Sequence, residues 1–180
     1  LHSKIVITVT AVLILVGAIL IFIFEYNNPL TIGEMHFFDK IQVSLFQSVT
    51  TRTAGFASIP QENLTNASAA LSIILMLIGA SPVGTAGGMK TVTVTVLLLF
   101  IWARLRGRGG VNVFHRRIPR EKMLDAMTIV SIVVGLCVAG AVVICTTSAV
   151  GFVDALYEAV SALATVGLTA GVTTVLVVPA

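Results

Sequence analysis

The chain has 180 residues, of which 57% are hydrophobic and only 11% are charged, with a formal net charge of +3. Soluble domains contain about 25% charged residues, so this composition excludes an ordinary water-soluble enzyme or nucleic-acid-binding domain. We therefore expect a protein embedded in a lipid bilayer. Cys137 and Cys145 lie in an apolar run without a neighbouring His or acid. We therefore expect them to be core or lipid-facing residues rather than metal ligands.

Three long uncharged stretches follow one another along the chain. The first, Ile5 to Phe24, would form a helix of about 30 Å, which matches the hydrocarbon thickness of a bilayer. The second, Ala67 to Ala103, is interrupted only by Lys90 and would reach about 55 Å as one helix. Residues 79–88 within it hold one proline and four glycines. Because these residues are poor helix formers, we predict a broken span: helix, irregular middle, helix. The third, Ala126 to Val153, is long enough for a tilted crossing.

The basic residues are concentrated between the second and third stretches. Seven of the eleven lie in residues 104–122: Arg104, Arg106, Arg108, Arg116, Arg117, Arg120 and Lys122. The positive-inside rule places this link in the cytoplasm, and together with the apolar stretches it predicts a multi-pass membrane protein. Because the link joins two membrane spans, we do not expect it to bind nucleic acid.

Two shorter helices are predicted that cannot cross a membrane. Asp39 can cap a helix of about a dozen residues ending near Thr50, and Asp154 can cap another that runs through Leu163. The first of these helices would be only about 18 Å long. Each is followed by a short loop with the pattern Thr-x-Gly, and the two loops are 112 residues apart: Thr53-Ala54-Gly55-Phe56 and Thr165-Val166-Gly167-Leu168.

The repeated unit is therefore a span, a half-helix, a Thr-x-Gly loop and a second span. It predicts an all-α membrane protein of span–pore loop–span repeats, with re-entrant half-helices and a broken second span. Non-helical backbone at membrane depth is tolerated where protein buries it or where it lines a watery pathway. Glycine can adopt the dihedrals that point successive carbonyls one way, and such carbonyls can replace the hydration shell of a monovalent cation.

These patterns resemble the Trk/Ktr/HKT superfamily of potassium transporters, and most of all the bacterial Ktr membrane subunit. Three segments in order carry the resemblance. They are Phe46-Gln47-Ser48-Val49-Thr50-Thr51-Arg52-Thr53-Ala54-Gly55-Phe56, the interrupted span with Gly79-Ala80-Ser81-Pro82 and Gly87-Gly88-Met89-Lys90-Thr91, and Tyr157 to Leu168.

The resemblance implies four such units around a central pore, with one quarter of a potassium filter on each loop. Residues 1–103 would be the third unit complete with its intramembrane gating loop, 104–122 the cytoplasmic link, and 123–180 the first span and pore loop of the fourth unit. The implied filter residues are Thr53, Ala54, Gly55 and Phe56, together with Ala164, Thr165, Val166, Gly167 and Leu168. The implied gate comprises Gly79, Ala80, Ser81, Pro82, Val83, Gly84, Thr85, Ala86, Gly87, Gly88 and Lys90.

The resemblance further implies potassium as the transported ion, with sodium as a coupling or regulatory ion. It also implies that the remaining repeats belong to the same chain, that the membrane subunit is a homodimer, and that a cytosolic nucleotide-binding ring controls the gate. No enzymatic activity is expected. The near match to a phosphate-binding loop at residues 84–91 has Met89 where that motif requires glycine.

The residues leave three questions open: the class of transporter, the role of Arg52 and the role of Lys90. A carrier of a small organic solute would also use re-entrant hairpins and a broken helix. Arg52 either supports the filter by anchoring its loop or acts as an ion-repelling charge, and we favour the support role because a charge at membrane depth needs partners. Lys90 either faces the pore or extends towards the cytoplasm.

Overall fold

The structure is a computed structural model and describes residues 2–79, 87–107, 112–113, 116–117 and 119–175. Within these residues most of the chain is helical. The helices are α1 (His2–Glu25), α2 (Phe37–Thr50), α3 (Asn66–Leu77), α4 (Thr91–Leu105), α5 (Arg120–Thr147), α6 (Phe152–Leu163) and α7 (Val172–Val175). A single 3₁₀ turn spans Gln61–Asn63, and a two-residue antiparallel pair joins β1 (Asn112–Val113) to β2 (Arg116–Arg117).

Two of the described helices, α1 and α5, are long and apolar enough to cross a membrane, over Val6–Glu25 and Glu121–Thr147. Both present large apolar side chains on the outside. The exposed positions on these two helices include Ile7, Leu15, Ile19, Ile23, Ile132, Leu136 and Val143. A soluble protein rarely exposes so continuous an apolar surface to water. Lipid acyl chains or further protein would cover this surface and remove the free-energy cost of that exposure.

The second apolar stretch is interrupted in the part of it that the structure describes. The first half, α3, begins at the Thr65 N-cap, whose side chain accepts a hydrogen bond from the Ser68 backbone N–H, and ends at Leu77. The second half, α4, begins only at Thr91. Between them the Met89 N–H donates to the Leu77 carbonyl at 3.0 Å. The two ends of the interruption therefore lie close together.

Both helices that flank the basic link continue into it. Helix α4 ends at Leu105 and includes Arg104, while α5 begins at Arg120, six residues before the predicted start of the third stretch. A base in the last turn of α4 and Glu121 in the first turn of α5 both interact favourably with their helix dipoles. At its other end α5 stops at Thr147, six residues before Val153.

The two half-helices have the predicted lengths, but their predicted caps are wrong. Helix α2 begins at Phe37 with His36 as N-cap, and α6 begins at Phe152 with Gly151 as N-cap. Neither N-cap makes a side-chain hydrogen bond to its helix. Asp39 and Asp154 lie instead in the first helical turn, where a carboxylate is stabilised by the positive end of the dipole rather than by capping.

Packing places the half-helices against the long ones. Helix α1 packs against α2, α3 and α4, and α6 packs against α3 and α5. Gly17 permits the close approach of α2, because a Cβ there would lie 3.0 Å from Leu75 Cδ1 and would overlap the Ser48 hydroxyl. The main core is built around α6 and the loop after it. Its buried members are Ile73, Met76, Cys137, Tyr157, Val160, Ala164, Val166 and Leu168.

Candidate functional site

The two Thr-x-Gly loops have the same unusual backbone conformation. In the first loop (residues 53–56), φ is +70° at Thr53 and +76° at Gly55. In the second loop (residues 164–168), φ is +54° at Thr165 and +85° at Gly167. Left-handed residues thus alternate with an ordinary residue in both loops, at positions that correspond in the sequence. A β-branched residue with positive φ is a genuine outlier, and these two threonines are the only non-glycine residues with positive φ in the described part of the chain.

The loops also lie side by side. A Cβ built on Gly55 would overlap the carbonyl oxygen of Val166 and would lie 3.8 Å from the Gly167 Cα. Only a glycine at position 55 therefore allows the backbone of the first loop to approach that of the second this closely. The structure brings together two segments that are more than 100 residues apart in the sequence.

Each loop starts at the C-terminal end of its half-helix and is held there by a hydroxyl group. In the first loop, Thr50 Oγ1 accepts from the Phe56 N–H at 2.8 Å and donates to the Phe56 carbonyl at 2.7 Å. In the second, Ser161 Oγ donates to the Leu168 carbonyl at 2.5 Å. Both hydroxyl-bearing residues are buried, so the chain is fixed where it leaves each loop.

Side chains in the two loops differ in exposure. Phe56 is 70% exposed, whereas Ala164, Val166 and Leu168 are buried in the core beneath α6. Ala54, Thr165 and Gly167 are exposed. A cleft of about 520 Å³ runs along the second loop and is lined by Glu158, Thr165, Gly167 and Thr169, among others.

The residues predicted for the gate are only partly described. Residues 80–86 lie outside the described part of the chain, and the segment's two ends lie within it. The Gly87 N–H donates to Thr165 Oγ1 at 2.9 Å, and a Cβ on Gly87 would lie 2.9 Å from the Ala164 carbonyl oxygen. The far end of this segment therefore touches the start of the second loop. Lys90 is exposed and occupies the N-cap position of α4.

Arg52 precedes the first loop and is half-buried. Among the described residues, its buried Nε has no hydrogen-bond partner. The anchoring role predicted for its guanidinium stays a prediction.

Comparison with known proteins identifies the chain's family. The TrkH family, described as cation transport protein, matches residues 1–178. The chain belongs to this family. It is 35% identical over 173 residues to the Ktr system potassium uptake protein B of Bacillus subtilis (strain 168), and 34% identical over 172 residues to the protein of the same name from Vibrio alginolyticus. It is also 36% identical over 177 residues to the potassium/sodium uptake protein NtpJ of Enterococcus hirae.

These matches cover 96% of this chain in each case, but only 38–39% of each relative. The chain thus spans about two fifths of the length of the curated relatives. Family membership confirms the resemblance drawn from the three sequence segments. Together with the two helices of spanning length, family membership supports a membrane location for this chain, and the relatives that it matches are named as uptake proteins.

Sequence reasoning missed the side chains that hold the loops. Thr50 and Ser161 were not singled out, although each is a hydroxyl residue in the last turn before a Thr-x-Gly pattern. Glu158 was also missed: it accepts hydrogen bonds from the Thr169 hydroxyl and from the Ala170 N–H at 3.1 Å, bracing the chain after the second loop. A search for buried polar residues on the apolar half-helices would have found the first two.

Proposed function

We propose that the full-length protein containing this chain takes up potassium ions across the plasma membrane, through a filter lined by backbone carbonyls and closed by an intramembrane gate. The observation that carries this proposal is the matched pair of left-handed positions in each loop, at Thr53 and Gly55 and at Thr165 and Gly167. Alternating left- and right-handed dihedrals point successive carbonyl groups to the same side of the chain. A row of carbonyls on one side can replace the hydration shell of a potassium ion.

The half-helices support the same function electrostatically. Helices α2 and α6 both end directly before a loop, and the C-terminal end of a helix carries a partial charge of about −0.5. As re-entrant half-helices entering from outside, they would direct this charge to mid-membrane, where it favours a cation. Thr53 to Phe56 and Ala164 to Leu168 are the proposed filter residues in this chain.

The contact between Gly87 and Thr165 supports a gate in the broken span. We assign the gate to Gly79 through Gly88 with Lys90, a segment that includes the undescribed residues 80–86. Since its far end hydrogen-bonds to a filter residue, this segment would lie beneath the filter and would have to move before an ion could leave towards the cytoplasm.

The assembly is proposed from the family. Residues 1–103 would form the third of four repeats, 104–122 the cytoplasmic link, and 123–180 the first part of the fourth repeat. The other repeats would complete the filter. The names of the relatives mention potassium in two cases and both potassium and sodium in the third, which supports potassium as the main ion and a role for sodium. A homodimer and a cytosolic nucleotide-binding ring complete the proposed transporter.

Rubidium uptake into liposomes containing the full-length protein tests the proposal. We expect potassium to compete with rubidium far better than sodium does. Gly55→Ala should abolish most of this discrimination, because its Cβ would overlap the Val166 carbonyl and because a left-handed non-glycine residue costs roughly 1–2 kcal/mol.

The matched control is Gly107→Ala. Gly107 also has a positive φ of +67°, but nothing lies within 4 Å of a Cβ built there, so this variant tests backbone strain outside the filter. The proposal is contradicted if Gly55→Ala keeps wild-type selectivity, or if uptake by the wild-type protein depends on an organic solute, as the carrier alternative requires.

A further inference from the structure

A buried hydrogen-bond network links the two half-helices behind the loops. It consists of Gln47 on α2, Gln61 in the 3₁₀ turn and Tyr157 on α6. Gln47 and Tyr157 are fully buried and Gln61 is 6% exposed. None of these side chains belongs to the loops themselves.

The geometry saturates the Gln61 amide. Its Oε1 accepts from Gln47 Nε2 at 2.5 Å and from the Tyr157 hydroxyl at 2.9 Å. Its Nε2 donates to Gln47 Oε1 at 3.2 Å and to the Ile59 carbonyl at 2.8 Å. Because the Ile59 carbonyl can only accept, Nε2 must face it, and this fixes the orientation of the whole amide. Both lone pairs and both hydrogens of the Gln61 amide are therefore used.

The network lies one helical turn from the groups that fix the loops. Gln47 precedes Thr50 by three residues, and Tyr157 precedes Ser161 by four. Thr50 and Ser161 hold the chain at Phe56 and Leu168. Gln61 itself lies five residues after Phe56, on the segment that leaves the first loop. The three side chains thus connect the helix before the first loop, the segment after the first loop and the helix before the second loop.

We propose that Gln47, Gln61 and Tyr157 are positioning residues that set the distance between the two loops and thereby determine cation selectivity. The inference rests on the proposed filter function. Carbonyl oxygens select an ion by their number and spacing, and the Gly55 backbone already touches the Val166 carbonyl. A small movement of α2 relative to α6 would therefore change the spacing of the carbonyl oxygens around an ion. Fully satisfied buried polar networks are rigid and fix one arrangement.

Tyr157→Phe in the full-length protein is the direct test, because it removes the hydroxyl and keeps the ring. We expect the preference for potassium over sodium, measured by competition with rubidium uptake in liposomes, to fall roughly three- to tenfold, as expected for loss of one buried hydrogen bond. Tyr26→Phe is the matched control: Tyr26 is 43% exposed, and we expect its selectivity to equal that of the wild type.

Gln47→Leu gives a second variant, since it removes the reciprocal amide pair from the other side. Both changes act through Gln61, so their effects on selectivity should be non-additive in the double variant. The melting temperature of each purified variant separates positioning from bulk stability. If Gln47→Leu does not fold, Tyr157→Phe still decides the matter.

Two results would overturn the inference. One is a Tyr157→Phe protein with a lowered melting temperature but wild-type selectivity, which would make the network purely structural. The other is an equal loss of selectivity in Tyr26→Phe. A wild-type protein without selective rubidium uptake would instead refute the proposed function, and the inference with it, so the two failures are distinguishable.

Discussion

At the scale of single residues, Thr53 and Thr165 are the most informative positions. A β-branched residue in the left-handed region is strained, and it persists only when the surrounding structure holds it. Here the Thr165 hydroxyl accepts from the Gly87 N–H, and each threonine lies within three residues of a half-helix whose last turn holds a buried hydroxyl residue, Thr50 or Ser161. The sequence indicated glycine as the residue with unusual dihedrals, but no propensity predicts the same for threonine.

Glu25, at the end of α1, is a buried carboxylate with four donors. Its Oε1 accepts from the Thr65 N–H and hydroxyl at 2.9 and 2.7 Å, and its Oε2 accepts from Asn28 Nδ2 and the Thr31 hydroxyl at 2.7 and 2.6 Å. Since Thr65 is the N-cap of α3, this carboxylate joins the end of one span to the beginning of the next.

We predict that Glu25→Gln destabilises the full-length protein by roughly 2 kcal/mol, seen as a melting temperature several degrees lower in detergent. In either orientation, the new amide NH₂ would face a nitrogen donor that cannot accept, the Thr65 N–H or Asn28 Nδ2. The control is Glu34→Gln, because Glu34 is exposed. Equal melting temperatures for the two variants would show that the Glu25 contacts contribute nothing.

At the scale of elements, the sequence predicted the helices well and their ends poorly. Length and hydropathy sufficed for α1, because a bilayer imposes a minimum apolar length, and the proline and glycines of residues 79–88 correctly divided the second stretch into α3 and α4. Asp39 and Asp154 were expected to be caps and lie in the first turn instead, since local preferences at a helix start are weak beside packing. Helix α5 begins at Arg120, before the uncharged stretch does, because charged residues can continue a helix beyond the membrane, and it ends at Thr147, before that stretch ends.

The site was predictable as far as its motifs, but not its contacts. The spacing of the two Thr-x-Gly patterns indicated the loops, and the proline and glycines indicated the interruption in the span. The contacts of the site join groups that are separated along the sequence. They are the approach of Gly55 to Val166, the hydrogen bond from Gly87 to Thr165, and the hydrogen bonds of the Thr50 and Ser161 hydroxyl groups. Periodicity carries no signal for such pairings.

At the same scale, the interrupted span predicts how a substitution at Gly87 changes ion uptake. Gly87→Ala should raise rubidium uptake, because the added Cβ would lie 2.7 Å from Thr165 Oγ1 and 2.9 Å from the Ala164 carbonyl carbon, which forces the segment away from the second loop. Gly135→Ala on α5, where a Cβ would meet nothing within 4 Å, is the control. Lower or unchanged uptake by a correctly folded Gly87→Ala protein would argue against a barrier role for this segment.

At the scale of the whole molecule, the chain is about two fifths as long as its curated relatives. Its exposed apolar surface is consistent with this, since Phe38 and Phe56, at opposite ends of the segment from α2 to the first loop, are 69% and 70% exposed. Two loops supply half of the four-part filter that we propose. In that proposal the other two loops would come from the rest of the full-length protein.

Anomalous diffraction from crystals of the full-length protein grown with rubidium tests the central claim most directly. We predict rubidium peaks between the loops, within coordination distance of backbone carbonyls from residues 53–55 and 165–167. We predict that excess potassium displaces these peaks and that the same excess of sodium does not. Ordered rubidium bound only elsewhere, with both loops resolved and no peak at their carbonyls, would contradict the assignment of these loops as the potassium filter.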